Sequence, residues 1–159
     1  MKKNVAVIGC GHWGKNLVRN FAELGALSAV CDPNDKLAQY YAEQYKVSNL
    51  SFAAILANPA IEGVVLAVPA PLHASMAKEA MNAAKHVYVE KPLAMNRTEG
   101  EAMIACAKEN AVQLMVGHLL QYHPVFMAVR VLVESGELGR LDYIYSNRLS
   151  FGKVRSEED

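Results

Sequence analysis

At 159 residues, with 52% hydrophobic and 20% charged side chains, the chain is long enough to bury one core and to continue past it. Sixteen Lys and Arg balance sixteen Asp and Glu, and no basic cluster exceeds Lys2-Lys3, so nucleic acid and anionic membrane surfaces are excluded as expected partners. The three cysteines, Cys10, Cys31 and Cys106, are far apart and lack CxxC or Cys/His spacing, which argues against a disulfide framework or a metal site. No apolar run approaches the roughly 20 residues of a membrane span, and a cytoplasmic protein with thiols kept reduced is the expectation.

The first element is "NVAVIG", a short valine- and isoleucine-rich run that reads as a strand. It passes directly into Gly9, Gly11 and Gly14, at G-x-G-x-x-G spacing, and then into a helical pattern from Trp13 to Leu24. That context is the one a dinucleotide fingerprint requires. Gly9 is expected to permit the tight turn, Gly11 to admit a pyrophosphate to the backbone, and Gly14 to let helix and strand pack closely. The anion would rest on unpaired helix N–H groups at the positive end of the helix dipole.

A second strand, "LSAVCD", ends at Asp32, about 20 residues beyond the loop, where an acid accepts hydrogen bonds from the adenosine ribose and repels a 2′-phosphate. NAD is therefore expected in preference to NADP. The alternative is that Asp32 only caps the following helix, a role that Asn34 can also fill. That helix is predicted from Asn34 to Tyr45, with Leu37, Tyr40, Tyr41 and Gln44 facing the sheet. A weak strand around Val47 to Leu50 follows.

The fourth strand, "GVVLAVP", leaves through the prolines of "AVPAPLH" into a helix from His73 to Ala84. His73 either touches the nicotinamide half of a cofactor or is a polar group in a first helical turn. The fifth strand, "HVYVE", ends in Glu90, Lys91 and Pro92, and the proline restricts Lys91 to an extended backbone at the strand end. A lysine held there can exchange a proton with a substrate hydroxyl, acting as a base only in its neutral form. A solvated Lys-Glu pair explains the same dipeptide. A helix from Thr98 to Asn110 is predicted to start at a Thr98/Glu101 capping box, and "VQLMVG" completes six strands.

Alternating strands and helices joined by short connections predict an α/β fold, a right-handed, doubly wound, mainly parallel Rossmann sheet with helices on both faces. This domain is expected to span residues 1–118. Residues 119–159 then read as a crossover helix from Pro124 to about Ser135 and a strand, "LDYIYSNRLS", without a sheet partner, the start of a truncated second α/β domain.

The ordered motifs "VIGCGHWGKN", "CDPN", "AVPAPLHASMAKEAMNAAKHVYVEKPLAMN" and "MVGHLLQYHP" together resemble the glucose-fructose oxidoreductase, inositol dehydrogenase and MocA family of NAD(P)-dependent sugar oxidoreductases. The later segment looks most like the branch acting on nucleotide-activated amino sugars of the UDP-N-acetylglucosamine type. The resemblance implies hydride transfer between a sugar or nucleotide-sugar hydroxyl and the nicotinamide, with Lys91 of the EKP signature catalytic or substrate-binding. It implies a cofactor site of Gly9, Gly11, His12, Trp13, Gly14, Asp32, Pro69, His73 and Glu90, with Tyr122 and His123 on the substrate side and no metal. Under the alternative, Tyr122 packs in a seam and His123 merely precedes a helix-opening proline.

The family's chains continue for roughly as many residues again and carry an Asp-x-x-x-His type motif that this sequence lacks; His12, His86 and His118 are poor substitutes. The resemblance also implies a homo-oligomer for the whole protein. Two expectations from different classes therefore stand, an NAD-dependent dehydrogenase and a dinucleotide-binding fragment or subunit without turnover of its own.

Overall fold

The valine-rich runs form strands, and each is followed by a helix that returns the chain to the same end of the sheet. The computed structural model describes residues 4–147 and residue 149. Its elements are β1 (Val5–Ile8), α1 (Gly14–Glu23), β2 (Leu27–Cys31), α2 (Asp35–Tyr45), β3 (Ser48–Asn49), α3 (Phe52–Ala57), β4 (Gly63–Leu66), α4 (His73–Asn82), β5 (His86–Val89), α5 (Arg97–Glu109), β6 (Leu114–Val116) and α6 (Pro124–Glu134). Short 3₁₀ turns, Ala70–Leu72 and Leu119–Tyr122, precede α4 and α6.

All six strands pair in parallel in the order β3-β2-β1-β4-β5-β6. The order reverses between β1 and β4, whose registered partners run from Val5 and Gly63 to Ile8 and Leu66. At such a switch point the loops leaving the carboxyl ends diverge to opposite faces and open a crevice for a ligand.

Side chains alternate across the sheet, and each face carries its own core. Ala6, Ile8, Val64, Leu66, Val87 and Val89 pack with Ile55 of α3, Ala77 and Met81 of α4 and Met103 of α5. On the other face, Val7, Val30 and Val65 meet Leu17 and Val18 of α1 and Ala42 of α2. The doubly wound, two-faced sheet expected from the sequence is the fold observed.

Four local expectations need correction. In α2, Tyr40 and Gln44 are exposed, while Ala38 and Ala42 are buried and Leu37, Tyr41 and Tyr45 pack beside them. Two alanines one turn apart let the helix approach the sheet closely, which rotates the contact stripe. Helix α5 begins earlier than Thr98: Asn96 is its N-cap, accepting the Glu99 N–H at 2.9 Å, and the Glu99 carboxylate accepts the Met95 N–H at 3.1 Å. This capping arrangement holds two residues before the predicted one, because Asn96 adopts the extended backbone a cap needs.

Helix α3 was not expected; Ser51 caps it by accepting the Ala54 N–H, and its six residues are too few to display a clear helical period. Finally, residues 141–147 of "LDYIYSNRLS" form no strand, consistent with the lack of a neighbouring strand to take up their backbone groups; Arg148 and Ser150 lie outside the described residues.

The chain divides into two compact units, Met1–His118 and Leu119–Asp159. The first holds the sheet. In the second, α6 displays Val125, Phe126, Val129 and Val131 at its surface. Among the described residues no helix is long and apolar enough to cross a membrane.

Candidate functional site

Three glycines after β1 have three different steric situations. Gly9 has a φ of +89°, in the left-handed region, and a Cβ there would collide with the Ala67 carbonyl at the end of β4. Its N–H donates to the Cys31 carbonyl at 2.8 Å, so the turn is fastened to β2. Gly14 is buried, and a Cβ would strike the Gly9 carbonyl; its absence lets α1 start directly against the turn. Gly11 is exposed, with nothing within 4 Å of where its Cβ would stand. Of the three, it alone has open space for a ligand beside the backbone.

The open space lies at the start of α1. Trp13 occupies the N-cap position but makes no side-chain cap, and no acidic residue stands in the first turn. In that turn Lys15 N–H donates to the Gly11 carbonyl at 3.1 Å and Asn16 N–H to the Trp13 carbonyl at 2.9 Å, and the positive dipole end carries no protein counter-charge from the turn. His12 and Trp13 are both exposed beside it.

Asp32 follows β2 and is tied to the same loop. Its Oδ2 accepts the Cys10 N–H at 2.7 Å and its Oδ1 accepts the Asn34 N–H at 2.8 Å. Asn34 in turn caps α2 by accepting the Leu37 N–H. Of the two residues able to cap, Asn34 does so, and Asp32 bridges the glycine loop to the β2–α2 turn. A carboxylate oxygen that accepts one hydrogen bond keeps a further lone pair for a ligand hydroxyl. Burial, and then the Asp32 charge, push the Cys10 thiol up to about 12; Cys31 is raised by the same two causes. Both thiols stay protonated at neutral pH.

Beside this loop, across the switch point, lie the ends of β4 and β5. Pro69 is exposed and opens the 3₁₀ turn before α4. His73 is turned inward: it is 1% exposed, with Nδ1 at 2.7 Å from the Pro92 carbonyl and Nε2 at 2.9 Å from the Val68 carbonyl. Both ring nitrogens are engaged by main chain, so neither is free to touch a cofactor, and the polar surface alternative fails for the same reason.

Glu90 is buried, its Oε1 accepting the Tyr88 hydroxyl at 3.0 Å and its Oε2 the Lys91 N–H at 3.2 Å. Lys91 is exposed and joined to Pro92 by a cis peptide bond. Gly117, at the end of β6, was not singled out from the sequence. Its N–H donates to the Val89 carbonyl at 2.8 Å, and a Cβ there would collide with the Tyr88 hydroxyl and crowd Glu90. The sequence marks it only as the glycine ending "MVG".

Tyr122 and His123 belong to the second unit. Tyr122 is exposed, and His123 caps α6, its Nδ1 accepting the Val125 N–H at 3.3 Å. Among the described residues no group of three or more His, Cys, Asp or Glu side chains is placed to hold a metal ion.

A glycine turn with one open face, an acid after β2 and a lysine after β5 thus share the carboxyl edge of a sheet in Rossmann order. Residues 3–118 match the family profile described as the Gfo/Idh/MocA oxidoreductase family, NAD-binding Rossmann fold. The chain belongs to this oxidoreductase family.

Among relatives, the chain is 32% identical to the UDP-N-acetylglucosamine 3-dehydrogenase of Acidithiobacillus ferrooxidans, over 94% of this chain and 46% of that protein. The solved structure of that enzyme superposes with a TM-score of 0.75 at 30% identity, covering 80% of this chain and 42% of the other. The scyllo-inositol 2-dehydrogenase (NAD(+)) of Bacillus subtilis is 30% identical over 87% of this chain and 42% of its own length. A 3-ketoreductase from Actinomadura kijaniata, solved with NADP and TDP-benzene, gives a TM-score of 0.78 at 26% identity, covering 86% and 43% of the two chains. The chain spans less than half the length of these members of the Gfo/Idh/MocA family.

Proposed function

We propose that this chain forms the cofactor half of an NAD-dependent dehydrogenase that oxidises a hydroxyl of a sugar or nucleotide sugar. The observation that carries the reading is the open face at Gly11, in the loop that Asp32 binds through the Cys10 N–H and that leads into the start of α1, where no side chain caps the helix. The pyrophosphate of a dinucleotide fits the helix start, and the adenosine ribose hydroxyls fit the Asp32 carboxylate. NAD supplies the hydride acceptor when bound.

The chain's own groups do the rest. Gly9, Gly11 and Gly14 shape the loop, with His12 and Trp13 at its rim and Pro69 and Glu90 at the nicotinamide end. His73 acts from behind this edge rather than on the ligand. Lys91, exposed at the end of β5, hydrogen-bonds the substrate hydroxyl and, only as the neutral amine, takes its proton as the hydride passes from the same carbon to the nicotinamide. Tyr122 and His123 are the substrate-side residues of this reading. The whole enzyme is read as a cytoplasmic homo-oligomer whose relatives' substrates, UDP-N-acetylglucosamine and inositol, indicate the class of polyol or sugar to try.

Calorimetric titration of the chain with NAD+ and NADP+, with Asp32→Ala as the comparison, tests the reading. NAD+ is expected to bind more tightly than NADP+, because a 2′-phosphate meets the carboxylate. Loss of charge-assisted hydrogen bonds worth about 1.5–3 kcal/mol in Asp32→Ala lowers NAD+ affinity roughly 10- to 150-fold. Equal affinity for both dinucleotides in the parent chain refutes the assigned role of Asp32. Sugar-dependent NADH formation by the chain itself, followed by absorbance, separates a dehydrogenase from a module that binds without turnover, and in the full-length enzyme Lys91→Ala is expected to lower turnover at least about 100-fold.

A further inference from the structure

We propose that His73 is a positioning residue for Lys91, and that its ring is the brace joining the two loops on which the nicotinamide end of the site is built. The inference rests on the dinucleotide reading above. His73 opens α4, yet its side chain leaves the helix surface and is 1% exposed. It reaches Val68, at the exit of β4, and Pro92, the residue after Lys91, at 2.9 and 2.7 Å.

These contacts run from one rigid helix to two segments of chain with little regular structure of their own. Pro92 is exposed, as is Lys91 beside it. The Lys91 backbone is held on one side by the Glu90 carboxylate, through its N–H, and on the other by His73, through the Pro92 carbonyl. Lys91 thus stands between two anchored peptide groups while its side chain is in solvent.

Both partners of the ring are carbonyl oxygens, which only accept. A ring nitrogen that carries an N–H donates to the carbonyl opposite it, and the shorter contact, Nδ1 to Pro92 at 2.7 Å, is the one that reaches the Lys91 segment. A slowly exchanging proton on Nδ1 is therefore a signature of the brace that ordinary core packing of a histidine does not require.

The chain offers a built-in reporter of ligand binding, because Trp13 is the single tryptophan and lies in the glycine loop. Lysines are labelled by reductive ¹³C-methylation, and the Lys91 resonance is assigned with Lys91→Arg. NADH is then titrated while Trp13 fluorescence reports occupancy. In the parent chain, ¹⁵N ring spectra are expected to show a protected proton on Nδ1 of His73, and the Lys91 resonance is expected to shift on NADH binding. In His73→Ala the Lys91 shift is lost while NADH affinity changes less than about tenfold. His73→Gln, which keeps an N–H donor toward Pro92, recovers part of the shift.

An unchanged Lys91 response in His73→Ala overturns the brace. If the variants do not fold, the parent ring spectrum decides: an Nδ1 without a proton, or one whose proton exchanges at the solvent rate, overturns it equally. Failure of the parent chain to bind NADH removes the dinucleotide reading, and this proposal falls with it. That outcome is seen before any variant is made, so the two failures are distinct.

Discussion

The Cys10 N–H donates to Asp32 Oδ2 at 2.7 Å, joining the glycine loop to the end of β2 across 22 residues of sequence. With Asn34 N–H on the other oxygen, the carboxylate is part of the framework of the turn, and in the proposed reading it also takes a ligand hydroxyl. Its charge lies next to two sulfurs. Cys10 is 1% exposed, so burial is the first reason its thiol resists ionisation, and Asp32 adds to it.

This pair gives the chain a stability that depends on alkaline pH. The Cys10 thiol ordinarily titrates near 9.0 and is pushed up to about 12 in the fold. A raised value means that the contribution is fully present below pH 9, where both states hold the proton. As pH rises through the window from 9 to 12, the unfolded chain releases it and the folded chain does not, and stability falls by up to about 1.4 kcal/mol per pH unit. Cys31 shifts in the same direction. Urea midpoints measured at pH 8 and pH 10.5 are expected to fall in the parent chain and to fall less in Cys10→Ala. Equal losses in both remove Cys10 as the cause. Iodoacetamide at pH 8 is expected to leave Cys10 unmodified until urea unfolds the chain.

Substituting the three loop glycines by alanine is expected to separate folding from binding. Gly9→Ala and Gly14→Ala each drive a Cβ into a backbone carbonyl, of Ala67 and Gly9 respectively, and neither carbonyl moves without opening the turn. Both are expected to lower the urea midpoint clearly. Gly11→Ala meets nothing, so its stability is expected to stay within about 0.5 kcal/mol of the parent. Its NADH affinity is nevertheless expected to fall at least tenfold, because the new methyl occupies the face given to the pyrophosphate. Parent-like affinity in a folded Gly11→Ala chain places the ligand elsewhere.

What the sequence made legible follows from which interactions are local. The strands β1, β2, β4 and β5 are short, mostly apolar and mostly buried runs, and β1, β4 and β5 are rich in valine or isoleucine, so such runs announce themselves. The glycine spacing and Asp32 lie within one βαβ unit, so their placement together at the carboxyl edge was also readable. The inward turn of His73 was not, because its partners are carbonyls of Val68 and Pro92 and main-chain acceptors leave no trace in residue identity. Gly117 escaped for a similar reason: the group that forbids a side chain there, the Tyr88 hydroxyl, comes from the neighbouring strand. The segment 141–147 misled because an apolar, aromatic run has strand composition whether or not a partner strand exists to pair with it.

The opposite edge of the sheet offers a control for everything argued about the carboxyl edge. Lys85, just before β5, is 5% exposed, and its ammonium donates at 2.8 Å to the carbonyls of both Asn58 and Ile61, in the connection from α3 to β4. Parallel strands put this cluster at the amino ends, with the length of the sheet between it and Gly11, Asp32 and Lys91. Lys85→Met keeps much of the aliphatic bulk but leaves carbonyl oxygens without their buried donor, a loss of about 1–3 kcal/mol for such a group. A clear drop in the urea midpoint is therefore expected, with NADH affinity within about twofold of the parent under conditions where the variant is folded. If Lys85→Met weakens NADH binding as much as Gly11→Ala does, the two edges are coupled, and loss of affinity in any loop variant ceases to locate the site.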